Sequence, residues 1–158
     1  MANTQPHATL AEQTIRKHML AALGAGLVPL PWLDAAALAG LQLNLVRCLA
    51  EIYGTEFSAQ LSKAAIAGLS GGGLSVYLSA GLAGMAKTLP GIGWVVGAGS
   101  VALLGAASTY AVGRVFVQHF EAGGTLLSFD PEKMRAYYAS QYEHCKEEAR
   151  KNFAGYKP

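Results

Sequence analysis

Lys87 and Thr88 stand where a phosphate-binding loop would keep its lysine and hydroxyl. The stretch Gly81-Leu-Ala-Gly-Met-Ala-Lys87-Thr88 has the length of that loop, but Ala86 replaces the glycine needed before the lysine. The chemistry also needs a helix opening at Lys-Thr, whose amides and dipole hold phosphate. Leu89-Pro90-Gly91 breaks the chain there instead. Thr125–Asp130 has the look of a companion strand with an acidic end, yet no guanine-reading Asn-Lys-x-Asp follows it. Gly91-Ile-Gly-Trp-Val-Val-Gly97 imitates a dinucleotide loop with the wrong spacing, and no acid lies about 20 residues on. The first stretch reads as a helix end and a turn, the second as a turn followed by a closely packed helix, and no cofactor is expected.

The remaining reactive residues are scattered. His7, His18, His119 and His144 share no ligand spacing on a helix face, so no metal site is expected. Cys48 and Cys145 are far apart and read as free thiols of a reducing compartment. No nucleophile elbow occurs, and Asp34 has no acid–base companion. The expectation is a protein that is not an enzyme. Asp34 follows the break Pro29-Leu-Pro31 inside an apolar stretch. It reads either as a helix cap or as one half of an ion pair with Arg47 or Arg114.

The elements that must carry these residues are helices. The chain has 158 residues, 52% hydrophobic and 14% charged, with a mean hydropathy of +0.27, which makes it one domain in an apolar environment. A net charge of +2 without a basic cluster argues against nucleic acid as partner. The first 18 residues have no signal-peptide pattern, so membrane contact is expected through internal segments.

Twenty-three charge-free residues separate Lys63 from Lys87, and 26 more separate Lys87 from Arg114. Either run as a helix has the length to cross the roughly 30 Å apolar layer of a bilayer. Small residues recur at Gly68, Gly72, Ser75, Ser79 and Ala83 in the first run. They recur at Ala98, Ala102, Ala106, Thr109 and Gly113 in the second. Such faces let helix backbones approach in lipid. The reading is a membrane-spanning or deeply inserted hairpin over 64–113, turning at Lys87, Pro90, Gly91 and Gly93. Eleven of the 12 Lys and Arg lie outside this hairpin, which places both termini on the cytoplasmic side.

Two more units flank it. Residues 10–27 and 34–53 form two helices around Pro29 and Pro31, an interfacial helical hairpin over 10–53. Leu38, Leu41, Leu45, Leu49 and Ile52 make its apolar stripe, with Gln42, Asn44, Arg47 and Glu51 facing away and Gly54 as C-cap. Asp130-Pro131-Glu132 opens an amphipathic cytoplasmic helix over 131–153. Met134, Tyr137, Tyr138, Gln141, Tyr142 and Cys145 share its packing face.

Gly26-Leu-Val-Pro-Leu-Pro-Trp-Leu-Asp34, Leu49-Ala-Glu-Ile-Tyr-Gly54, Lys87-Thr-Leu-Pro-Gly-Ile-Gly93, Thr109-Tyr-Ala-Val-Gly-Arg114 and His119-Phe-Glu-x-Gly-Gly124 occur in this order. This set resembles the bacterial YcjF-type family of unknown function, domain of unknown function 697, over residues 15–135. The resemblance implies a bacterial inner-membrane protein. In some members a similar region follows a small GTPase domain, which is absent here. It therefore implies a stand-alone membrane module working with a separately encoded GTPase, and it brings no catalytic residues.

The expected protein is all-α, one domain over 1–158, structural or adaptor-like at a bacterial inner membrane. Its partners are the lipid bilayer, further copies of itself and a GTPase. An oligomeric pore and a soluble or peripheral helical bundle are the alternatives. The residues expected to shape turns, close contacts and ion pairs are Pro29, Pro31, Asp34, Arg47, Gly68, Gly72, Lys87, Pro90, Gly91, Gly93 and Arg114.

Overall fold

The computed structural model describes residues 4–26, 31–70 and 92–154, with side chains described for 6–26, 36–70 and 102–151. Among the described residues there are five α-helices, one short 3-10 turn and no strand. They are α1 (Thr4–Ala25), α2 (Pro31–Ile52), α3 (Ala59–Leu69), α4 (Ile92–Glu121) and α5 (Pro131–Ala154). The 3-10 turn, Leu126–Ser128, joins α4 to α5.

The ends of the helices follow local chemistry. The Asp130 carboxylate accepts from the amides of Glu132 (3.1 Å) and Lys133 (3.5 Å), so α5 opens as its Asp-Pro-Glu signal predicts. Gly54 ends α2 at φ +66°: its amide bonds Glu51 O, while Thr55 N bonds Ala50 O. Gly123 repeats the device after α4 at φ +80°, with Gly123 N on Phe120 O and Gly124 N on His119 O. Both closures use left-handed backbone to satisfy the last carbonyls.

Two helix starts differ from expectation. α1 opens at Thr4 rather than near Leu10, because Pro6 falls in the first turn, where a missing amide costs nothing. α2 opens with Pro31 at its first position. Asp34 is therefore the fourth residue of α2 rather than the residue before it.

α4 is the central helix, with α1, α2 and α5 packed around it. α1 runs antiparallel to it: Gly26 meets Ala102, Ile15 meets Gly113, and Glu12 reaches Arg114. α2 runs parallel to it: Leu38 lies by Gly105, Gln42 bonds Ser108, and Tyr53 bonds Glu121. α5 returns antiparallel, pairing Tyr138 with Ser108 and stacking Phe129 on Phe116 at 4.7 Å. The core runs through Ile15, Leu45, Leu49, Leu69, Val112 and Phe116, all essentially without solvent contact.

This packing corrects the reading of the 64–113 hairpin. Its first arm does not continue as one helix, since α3 ends at Leu69 with Ser70 as its cap. In the second arm, Ala102, Ala106, Thr109 and Gly113 are buried in protein. The close approach that small residues permit is made between α4 and α1. Among the described residues no helix is long and apolar enough to cross a membrane. The turn residues Lys87, Pro90 and Gly91, together with Gly72 and Pro29, lie outside the described residues.

Candidate functional site

The polar groups inside the bundle are the first place to look for chemistry. Gln42, expected on the outer face of α2, is buried. Its amide Nε2 donates to Ser108 Oγ at 3.0 Å, and Ser108 Oγ shares a second 3.0 Å bond with the Tyr138 hydroxyl. One polar chain thus ties α2, α4 and α5. Thr109 and Ser62 are also buried, but each returns its hydroxyl to the preceding turn, on Gly105 O and Ser58 O. The helical stripe of leucines concealed Gln42. A polar residue one position beyond an apolar stripe carries no signal of its own burial until a partner is placed opposite it.

Arg114 is the second focus. Its Nη1 donates to Glu12 Oε2 at 3.2 Å, and Glu12 also holds Arg16 at 3.3 Å. The Arg114 Nε is buried with no hydrogen-bond partner among the described residues. Burial works against the guanidinium charge, while Tyr110, Tyr137 and Glu12 restore it and shift its pKa upward overall. Burial pushes the Tyr110 phenol up as well. The pair opens on a cavity of about 250 Å³ lined by Ala8, Ala11, Ile15 and Glu121 among others. Glu121 accepts from the Tyr53 hydroxyl at 2.9 Å, and burial followed by this bond raises the Tyr53 pKa.

The other expected residues separate. Arg47 pairs with Glu51 at 3.1 Å on the surface of α2. Arg114 takes Glu12, so each arginine proposed for Asp34 has a carboxylate of its own, and the Asp34 side chain lies outside the described residues. Gly68 lies against Pro131, where an added Cβ would come within 2.7 Å of the ring, and its carbonyl accepts from Arg135 at 3.0 Å. That contact joins α3 to the start of α5. Gly93 sits in the first turn of α4.

Among the described residues no group of three His, Cys, Asp or Glu side chains could hold a metal ion. Cys48 and Cys145 are free and half-buried, and burial raises the Cys145 pKa. A shallow groove of about 540 Å³ lies at the far end of the bundle, between residues 54–61 and the 3-10 turn. Leu127 stands at its rim, 83% exposed.

Charge is distributed unevenly along the helices. From Arg16, Lys17 and Glu12 on α1, Arg47 and Glu51 on α2, and Arg114 and Glu121 on α4, the charges gather where α1 starts and α2 and α4 end. Toward the other end, α1 has none after Lys17, α2 has only Asp34 before Arg47, and α4 has none before Arg114.

The family model described as "Domain of unknown function (DUF697)" matches residues 3–147. The chain belongs to this family. The matched stretch runs from α1 through most of α5. The chain is 41% identical over 140 residues to "Magnetosome membrane protein 22" of Magnetospirillum gryphiswaldense, covering 87% of this chain and 71% of that protein. No solved structure matches.

Proposed function

We propose that the protein is a membrane-associated structural or adaptor domain without enzymatic activity, acting at the cytoplasmic face of a bacterial inner membrane. The observation that carries this reading is the extended similarity to a relative named as a membrane protein, which reaches from α1 into α5. The fold is compatible with it: a helical bundle in which α1, α2 and α4 carry nearly all their charges toward one end. The burial of Ala102, Ala106, Thr109 and Gly113 in the protein's own core favours a peripheral or partly inserted mode over a spanning α4.

Self-association and a GTPase partner belong to the same proposal and rest on the family resemblance. The test is flotation of the purified full chain with vesicles of phosphatidylethanolamine and phosphatidylglycerol. The expected result is recovery in the lipid fraction; protein left entirely in the aqueous fraction would refute membrane association. Cross-linking in the lipid fraction then reads self-association, and a purely monomeric ladder removes that part.

A further inference from the structure

We infer that the groove beside Leu127 is a two-fold interface between copies of this chain, with the Leu127 of each copy seated in the groove of the other. This rests on the self-association part of the reading above and names the surface that performs it.

Leu127 is the most exposed large hydrophobic residue among the described ones. The turn that carries it is nonetheless fastened to the core on both sides. Leu126 is buried beneath it, and Phe129 stacks on Phe116. Within the turn, Thr125 N donates to Ser128 Oγ at 2.9 Å and Ser128 N donates to Thr125 O at 3.1 Å. His119 donates from Nε2 to the same carbonyl at 2.9 Å, and its ring meets Phe129 edge to face. An anchor held on so fixed a backbone has little conformational freedom left to lose when a partner binds.

Beside this knob lies a prepared hole. One wall is the 3-10 turn itself, and the other is the connection from α2 to α3. That connection is fixed by Thr55 N on Ala50 O at 2.9 Å and by the Ser58 Oγ, which accepts from Leu61 N at 3.4 Å. Phe57 and Leu61 supply apolar surface, and Glu56 is the single charged residue in the lining. Such depletion of charge is the mark of the centre of a protein–protein contact. At about 540 Å³ the groove has room for a leucine and part of the turn that bears it.

Leu127 stands on the rim and, at 83% exposed, does not fill its own groove. Its position also decides the symmetry. A knob and a hole on distant faces would join copies head to tail into open chains. Side by side in one patch, they are exchanged by a two-fold axis that passes between them, so both contacts form at once.

The surroundings favour protein over lipid as the occupant. The patch follows the ends of α2 and α4 and precedes α5, where Glu51, Glu121, Asp130 and Lys133 are placed. The apolar layer of a bilayer excludes such side chains. A second copy of the chain covers the groove and leaves them in water at the rim.

The experiment is sedimentation equilibrium of the purified full chain in buffer without lipid or detergent. The expected mass is twice the 16.5 kDa of one chain. Leu127→Glu, which blunts the knob, should weaken the dimer at least about tenfold. Glu56→Trp, at an exposed position of the lining, should fill the groove and weaken it similarly. An equimolar mixture of these two variants should associate more tightly than either alone, because a mixed pair keeps one intact contact. Leu10→Glu, at an exposed leucine of α1, should change nothing. Matching melting temperatures by circular dichroism confirm that the variants fold alike.

A monomer in buffer, or a mass that keeps rising past two copies, overturns the two-fold interface. So does a dimer that Leu127→Glu leaves intact, or a mixture no tighter than its components. Cross-linked species seen only on vesicles would leave the broader self-association reading standing without this interface. A monomeric wild type whose flotation is abolished by Leu127→Glu would assign the groove to lipid instead. Monomer in buffer and on vesicles alike overturns both the interface and self-association.

Discussion

Gly113 of α4 lies so close to Ile15 of α1 that an added Cβ would sit 2.6 Å from Ile15 Cγ1. Ile15 is completely buried, so the added carbon would have to displace it within the core. Gly26 makes the matching contact at the other end of the interface, where a Cβ would meet the Ala102 Cα at 2.5 Å. The antiparallel α1–α4 pair is thus set by two glycines.

Gly113→Ala should therefore destabilise the fold. Overpacking of a filled core costs about 1–3 kcal/mol, against about 1 kcal/mol gained in helix propensity. Gly26→Ala should be worse, because the obstructing atom is backbone and Gly26 lies beyond the helix, where alanine brings no comparable gain. Urea denaturation of the two variants checks the order; equal or increased stability would mean that α1 and α4 are less tightly apposed.

The Gln42–Ser108 bond should be worth more broken than absent. Ser108→Ala removes the acceptor and leaves a buried amide donor without its partner, a loss of about 1–3 kcal/mol. Gln42→Leu with Ser108→Ala should recover much of that loss, since an apolar pair carries no desolvation debt. Additive losses in this double-mutant comparison would show that the two side chains act independently.

Glu12 and Arg114 are each a little over one third exposed. Their mutual coupling should stay below about 1 kcal/mol and weaken with salt. A double-mutant cycle with Glu12→Gln and Arg114→Gln, at low and at high ionic strength, measures it. A large, salt-independent coupling would instead mark the pair as tightly enclosed.

Asp130 provides a pH-dependent element. Its bond to the Lys133 side chain, with the two α5 amides, holds its carboxyl below the ordinary value of 3.8. A carboxylate lowered by folding stabilises the native state above its unfolded pKa, and that support is lost as pH falls through the lower native value. Asp130→Asn keeps a capping side chain and loses only the charge, so it should lower the melting temperature slightly at neutral pH. The difference from wild type should shrink toward zero below pH 3.8. A pH-independent difference would place the effect outside carboxylate ionisation.

Local signals disclosed the helices. Asp130-Pro131-Glu132 starts α5, Gly54 closes α2, and the leucines from Leu38 to Leu49 make a helical stripe, because capping and 3.6-residue periodicity act over a single turn. Family membership was legible too, through turns such as Pro29-Leu-Pro31 and Leu89-Pro90-Gly91. The burial of Gln42 and the pairing of Arg114 with Glu12, 102 residues away, were decided only by tertiary packing. So was the partner of the small-residue face of α4. Glycine and alanine announce that something approaches closely, yet the same composition serves a lipid-embedded neighbour and a water-exposed amphipathic one. Contact between residues distant in sequence depends on helix direction and register, and neither quantity is written in the periodicity of a single helix.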